Sequence, residues 1–435
     1  MGHPNRATDT TSDLAINERR ADLDWIRVIA FWLLIYYHTA IAFMPGGIPM
    51  IQNADTSPVL QVLAGFLHEF RLALLFLISG VGVAFALRHR NKAQFMQDRA
   101  MRLLVPLVFG VLVIVPPMIF LEKQFVGAFS GSFAEFFPKF FTEGVYPRGN
   151  LSWHHYWFIV YLYLFCLLGW PIFAYFKRAA GQRQLARWSQ GLVRGGYLYL
   201  AIVPLAVVEV LLRAWFPGFP DLIHDWANFS HWFMIFTAGF LLASSRPLLD
   251  QTQRLRGLSL TLAMISTATM YTEFWLPEKG HFTPLVNGET TVAIYAWFCA
   301  LRVANVWFWL LTCLGFAGRY LQRPSGLLTY LNGAVYPLFC LHLTVIVALE
   351  YVIVPLDWSI LTKYLAITTG TIVISLGTYE LLLRRIAWLR PLFGLKPLAT
   401  ISRQIAAAPD RLQDSSQFKS ASKKSVAASI APRKS

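Results

Sequence analysis

The feature that most restricts this chain is a series of apolar windows about twenty residues long, recurring from residue 25 to residue 383 with short polar breaks between them. A transmembrane helix needs roughly 20 predominantly apolar residues, and ten windows are read as spans, the sixth of them short: 25–44, 59–87, 103–121, 156–176, 197–215, 231–243, 257–275, 292–316, 331–352 and 364–383. The chain is 56% hydrophobic and 14% charged, a balance that a water-soluble protein of this length has no means of burying. The expected fold is therefore all-α: a polytopic integral membrane protein with about ten transmembrane helices. Its first apolar run follows about two dozen polar residues and lacks a small-residue cleavage site, so it reads as an uncleaved helix.

Lys and Arg concentrate in alternate breaks, which the positive-inside rule converts into orientation. The rich breaks hold Arg88, Arg90, Lys92, Arg99 and Arg102; Lys177, Arg178, Arg183, Arg187 and Arg194; Arg246, Arg254 and Arg256; and Arg319 and Arg323. The intervening breaks carry Asp55, Glu122, Asp221, Asp225, Glu278 and Asp357 instead. The rich breaks then face the cytoplasm, and an even span count leaves both termini there. The net charge of +15 follows mostly from this topology and from a basic tail, and no nucleic-acid motif accompanies it. The chain divides into a polar N-terminal segment (1–24), a membrane domain (25–390) and a Ser-, Ala- and Lys-rich tail (391–435), expected to be a disordered cytoplasmic segment held near anionic lipid. The longest outer break, residues 122–152, contains a Phe-rich stretch suited to the interface. No internal repeat is evident, which disfavours inverted-repeat transporters. Cys166, Cys299, Cys313 and Cys340 all lie in spans without metal-ligand spacing, and read as buried thiols with neither disulfide nor metal.

Ionisable side chains inside spans are costly and so mark candidate sites. In the first span, Arg27 and His38 are eleven residues apart, which puts them on one helix face, roughly 20° apart in azimuth and about 16 Å along the axis. Asp24 lies one turn below Arg27 and can pair with it. The structural alternative is that Arg27 snorkels to the headgroups and His38 bonds a neighbouring helix. The second span opens with His68, Glu69 and Arg71, three ionisable groups within one turn at the depth of His38; Ser79 and Gly80 further along suit close helix approach. The fourth enters with Trp153, His154, His155, Tyr156 and Trp157, where an aromatic belt accounts for Trp and Tyr but not for two adjacent histidines. His342 sits mid-span in the ninth window, and Glu209 and Glu350 near span ends; each admits either an interhelical hydrogen bond or function. Trp153, Trp215, Trp226 and Trp275 suit either sugar stacking or interfacial anchoring.

These motifs resemble the acyltransferase 3 family of membrane proteins. The run Arg19-Arg20-Ala21-Asp22-Leu23-Asp24-Trp25-Ile26-Arg27, closing on Tyr37-His38, is similar to the family's Arg and His separated by ten residues. The likeness continues through Leu75-Phe76-Leu77-Ile78-Ser79-Gly80, Arg99 and Arg102 with Pro106, His155-Tyr156-Trp157-Phe158, and Tyr336 to His342. Within the family, the opening motif, the His68 to Arg71 cluster and Val113-Ile114-Val115-Pro116-Pro117 most resemble the glucan biosynthesis protein C type, which succinylates periplasmic glucans. The Ser-, Ala- and Lys-rich tail lies outside the family pattern.

The resemblance implies a multi-pass protein of the bacterial cytoplasmic membrane that moves an acyl group from a cytoplasmic acyl-coenzyme A (acetyl- or succinyl-CoA), with no bound cofactor, to a hydroxyl of an extracytoplasmic carbohydrate. A sugar hydroxyl needs a base, and histidine suits that task near neutral pH. The expected base is His38, with Arg27 and Asp24 positioning the donor or the helix, and with His342 completing the catalytic set. His68, Glu69, Arg71, His155 and Trp157 are expected around the acceptor, and Arg88, Arg99 and Arg102 around the phosphates of coenzyme A. An acyl-histidine intermediate is a variant of the same chemistry. The competing class is a secondary transporter or flippase, since intramembrane His, Glu and Arg also build proton relays. Oligomeric state leaves no mark in the sequence.

Overall fold

The computed structural model describes residues 20–47, 49–88, 90–216, 221–275 and 291–397. Among them the regular structure is entirely helical. We number the helices α1 (Ala21–Ile41), α2 (Pro58–Arg88), α3 (Lys92–Phe125), α4 (Phe133–Thr142), α5 (Trp157–Leu168), α6 (Trp170–Lys177), α7 (Ala179–Arg194), α8 (Ile202–Leu212), α9 (Trp226–Ala243), α10 (Arg246–Met270), α11 (Val292–Tyr320), α12 (Gly326–Ile353), α13 (Ile360–Thr378) and the single turn α14 (Leu389–Leu392).

Each of the ten apolar windows falls on a helix, but helices and crossings are different counts. Five helices are long and apolar enough to cross a membrane (α2, α3, α11, α12 and α13 with its extension to Leu383), and up to eight if each bent pair forms one span. The bent pairs are His154–Leu168 with α6 (47°), α7 with Tyr197–Leu212 (116°) and α9 with Arg246–Glu273 (105°). α1 falls short of the same measure because Asp24, Arg27 and His38 lower its apolarity. The residues that make it chemically interesting are those that weaken its membrane signal.

Polar residues mark where these helices begin. Asn91 with Gln94 and Ser132 with Glu135 form reciprocal capping boxes at α3 and α4. Thr291, Ser325 and Ser359 each accept a backbone N–H at the start of α11, α12 and α13. α3 carries two widened turns, Ala100–Leu104 and Gly110–Ile114, each just before proline at Pro106 and Pro116-Pro117. A proline has no N–H to give and its ring crowds the carbonyl four residues back, and a widened turn relieves that conflict without ending the helix.

Close packing rests on small residues. A Cβ on Gly80 of α2 would overlap the carbonyl of Phe236 in α9, and one on Gly239 would overlap the carbonyl of Leu77, so the two backbones meet at a pair of glycines. Gly80 thus has the helix-approach role its sequence context suggested. Around this crossing lies an aromatic layer in which Trp157 stacks on Trp232 (5.0 Å, 26°) and Phe76 stacks on Trp232 (5.4 Å, 20°).

α1 is central. Tyr37 meets His68 while Arg27 lies beside Gly82, so α1 and α2 are antiparallel. Arg27 meets Asn332 and His38 meets His342, so α1 and α12 are parallel. Phe133, Phe137 and Phe141 line the exposed face of α4, with Phe136 and Phe140 buried behind them. The packed body runs past residue 390: Phe393 is buried and Gly394 lies against the ring of Tyr336. The rest of the expected tail, residues 398–435, and the acidic break with Glu278 lie outside the described residues, as does the side chain of Trp275.

Candidate active site

α1 presents its two polar residues to the same neighbour. At one end Arg27 Nη1 donates to Asp24 Oδ1 (3.1 Å) and to Asn332 Oδ1 (3.1 Å), and Asn332 Nδ2 donates back to Asp24 (2.9 Å). This closed triangle ties α1 to α12. Three turns along, the ring of His38 stands 5.3 Å from that of His342, centroid to centroid. His38 is half-buried and its ring contacts are with Tyr37 and His342.

His342 is fully buried, and its Nδ1 lies 2.7 Å from the carbonyl of Phe339, one turn back in its own helix. A carbonyl only accepts, so Nδ1 carries the hydrogen and Nε2 presents its lone pair. No hydrogen bond reaches that Nε2. The ring of His342 is thus held at one tautomer with Nε2 as an open acceptor.

A third imidazole joins them. His155 lies 5.2 Å from His342, and its Nε2 faces the carbonyl of Cys340 at 3.3 Å, so its Nδ1 is the open nitrogen. Its position is set from α3: Gly110, at the first residue of a widened turn, has no side chain and leaves room for the ring of Tyr156. The Tyr156 hydroxyl then donates to the same Cys340 carbonyl (2.9 Å). His154 takes φ +43°, a left-handed conformation uncommon outside glycine, in the turn that leads into α5.

On the α2 side, Tyr37 stacks on His68 (5.4 Å, 28°) and the Arg71 guanidinium lies flat over the Tyr37 ring, 3.3 Å from its centre. Arg71 is 4% exposed. The expected residues Asp24, Arg27, His38, His68, Arg71, His155 and His342 thus gather along the seam of α1, α2 and α12. Two others face elsewhere. Glu69 turns to Arg302 (3.7 Å), and Trp157 belongs to the aromatic layer on Trp232. Of the further tryptophans, Trp153 is half-buried, whereas Trp215 and Trp226 are exposed.

Arg99 and Arg102 lie on α3 at the Arg27 end. Arg99 rests on the Phe95 ring (5.0 Å) with its Nε unpaired, and Arg102 is exposed. Arg90 pairs with Asp98 (2.8 Å). Lys396 stands with them: partial burial, then the charges of Arg102 and Arg90, hold its ammonium below the ordinary lysine range. Arg88 lies apart, over the ring of Phe85 and within 3.4 Å of the Ala243 carbonyl.

Sequence reasoning missed a second buried network. Glu209 of α8, 0% exposed, accepts from Arg213 (2.8 and 3.2 Å) and from Arg302 of α11, with His231 of α9 at 3.8 Å. Arg213 continues to Asn228 (2.6 Å), Asn228 to Asp225 (2.7 Å), and Tyr161 donates to Asp225 (2.8 Å). Arg302 and His231 sat inside apolar windows, the signal that exposed His38, but neither was weighed. Asn332 and Lys396 carried no comparable signal. Among the described residues, no three His, Cys, Asp or Glu side chains converge as metal ligands, and all four cysteines are unpaired.

Residues 20–380, from the start of α1 to the end of the last long helix, match the family model described as an acyltransferase domain. No curated protein and no solved structure matches the chain. The matched segment contains the whole α1–α2–α12 seam and all the apolar helices around it, and the chain belongs to the acyltransferase 3 family of membrane acyltransferases.

Proposed function

We propose that this protein moves an acetyl or succinyl group from a cytoplasmic acyl-coenzyme A to a hydroxyl of an extracytoplasmic glycan, in the manner of the glucan biosynthesis protein C type, and that His38 is the general base. The observation that carries this reading is the meeting of His38 and His342 at 5.3 Å, about 16 Å along α1 from an arginine-rich end. The placement supports a division of labour. Arg99, Arg102 and Arg90, with Lys396, offer the phosphates of coenzyme A a cationic mouth, and the histidines receive the thioester at the far end of its arm. His38 suits the base role because it is half-open and held by ring contacts alone, while His155 and His342 are tied to backbone carbonyls.

The step balances simply. The acceptor oxygen attacks the thioester carbonyl carbon as its proton passes to the imidazole; the C–S bond breaks, and the departing sulfur takes that proton as free coenzyme A. Orienting both reactants at one imidazole supplies much of the advantage over solution. The setting proposed is the bacterial cytoplasmic membrane, with ten crossings and both termini cytoplasmic; the alternation of basic and acidic breaks supports that orientation.

Purified protein in nanodiscs, given acyl-CoA and glycan, tests the assignment. His38→Ala, folded as judged by its thermal midpoint, is expected to lose about 10²- to 10⁴-fold in transfer rate, the usual worth of a general base. Undiminished transfer by that variant removes His38 from the role.

A further inference from the structure

We propose that Arg71 receives the distal carboxylate of an anionic acyl group and thereby decides which acyl donor the site accepts; this rests on the acyl-transfer reading above. Arg71 is 4% exposed, and its Nε and Nη1 make no hydrogen bond. Among the described residues no carboxylate pairs with it. Glu69, two residues earlier, is turned about 200° away around the helix and is committed to Arg302. The titratable groups in its electrostatic reach are the imidazoles of His38, His68 and His342 and the hydroxyl of Tyr37, none of them a carboxylate. The flat face of the guanidinium is satisfied by the Tyr37 ring. Its Nε and Nη1 are what remain open.

A guanidinium buried without a counter-ion is retained where an anion arrives to complete it. The phosphates of coenzyme A are poor candidates, because the arginine-rich mouth lies about three turns away along α1. The acyl group itself is the part of the donor that reaches this depth. In a dicarboxylic monothioester such as succinyl, two methylenes carry the free carboxylate roughly 4 Å beyond the thioester carbon, and Arg71 lies over Tyr37, the ring that adjoins His38. A carboxylate is a strong, charged acceptor for these open N–H groups. An acetyl group leaves them unpaired.

The competing role for Arg71, stabilising the oxyanion of the tetrahedral intermediate, serves every acyl group alike and acts in the transition state. Ground-state binding therefore separates the two. Full-length protein in nanodiscs is titrated with coenzyme A, acetyl-CoA and succinyl-CoA in the absence of acceptor. Wild type is expected to bind succinyl-CoA roughly tenfold or more tighter than acetyl-CoA, the scale of a hydrogen-bonded charge. Arg71→Gln is expected to abolish that preference while coenzyme A affinity stays unchanged, and Arg71→Lys, which keeps the charge and the fold, to retain part of it. Equal wild-type affinity for the two thioesters overturns the proposal, as does a preference that survives in both variants. A wild-type protein that binds no coenzyme A thioester fails the acyl-transfer reading itself, a result distinct from binding without preference.

Discussion

The side chains of the seam owe their chemistry to what does and does not pair with them. Phe339 fixes the tautomer of His342, and Cys340 does the same for His155, so two adjacent carbonyls of α12 orient two imidazoles. His38, Arg71 and His342 were legible because each interrupts an apolar window, where an ionisable group is too costly to be idle, and His155 because an aromatic belt does not account for two adjacent histidines. Arg302 interrupts its window in the same way. The partition within one turn was not legible: His68 and Arg71 go to Tyr37 while Glu69 goes to Arg302, a choice made by the neighbouring helices. Asp225 gives a prediction at this scale. Burial raises its carboxyl to about 6, against hydrogen bonds from Tyr161 and Asn228 that lower it. An acid whose folded pKa lies above its unfolded value binds its proton more tightly when folded, so its contribution is present at acidic pH and is lost as pH rises through about 6. The thermal midpoint of wild type relative to Asp225→Asn should therefore fall between pH 4 and pH 7; a difference independent of pH would contradict this assignment.

At the level of elements, glycines and prolines decide where helices meet and how their faces turn. Pro106 and Pro116-Pro117 are visible in the sequence, but that they widen α3 rather than end it depends on neighbours filling the irregular turns. Tyr156 does so at Gly110, and the Thr344 hydroxyl does so by donating to the Ile114 carbonyl (2.9 Å). The α2–α9 crossing offers a direct test. Gly239→Val places methyl groups on the Leu77 carbonyl and forces the helices apart, at a cost of about 1–3 kcal/mol for overpacking. A lower thermal midpoint in detergent is expected, and an unchanged one would contradict a close glycine crossing. The Glu209 network predicts a larger effect. Glu209→Gln leaves Arg302 and Arg213 without their shared carboxylate, and breaking a buried pair from one side costs roughly 3–5 kcal/mol. Glu209→Gln with Arg302→Met should recover part of that loss, as seen in the fraction eluting as folded protein.

Over the whole molecule, orientation follows from charge. Residues 122–152 are expected outside and α7 inside, so Ala128→Cys should label with a membrane-impermeant maleimide in intact spheroplasts, and Gln190→Cys only after permeabilisation. Both positions are exposed, and three of the four native cysteines are buried; the reverse labelling pattern would invert the proposed topology. By itself the sequence determined that the chain is helical and apolar, where its apolar helices lie, and which family it belongs to, because hydrophobicity over twenty residues and ordered motifs are local properties. Tertiary structure alone decided which ionisable groups face one another. The bends between α5 and α6, α7 and α8, and α9 and α10 set how apolar windows become crossings. The pairing of Arg27 with Asn332 and of His38 with His342 needs two helices more than three hundred residues apart. Azimuth and depth on a single helix can be computed from spacing, but a partner on another helix is selected by packing, and packing depends on every side chain in the seam at once.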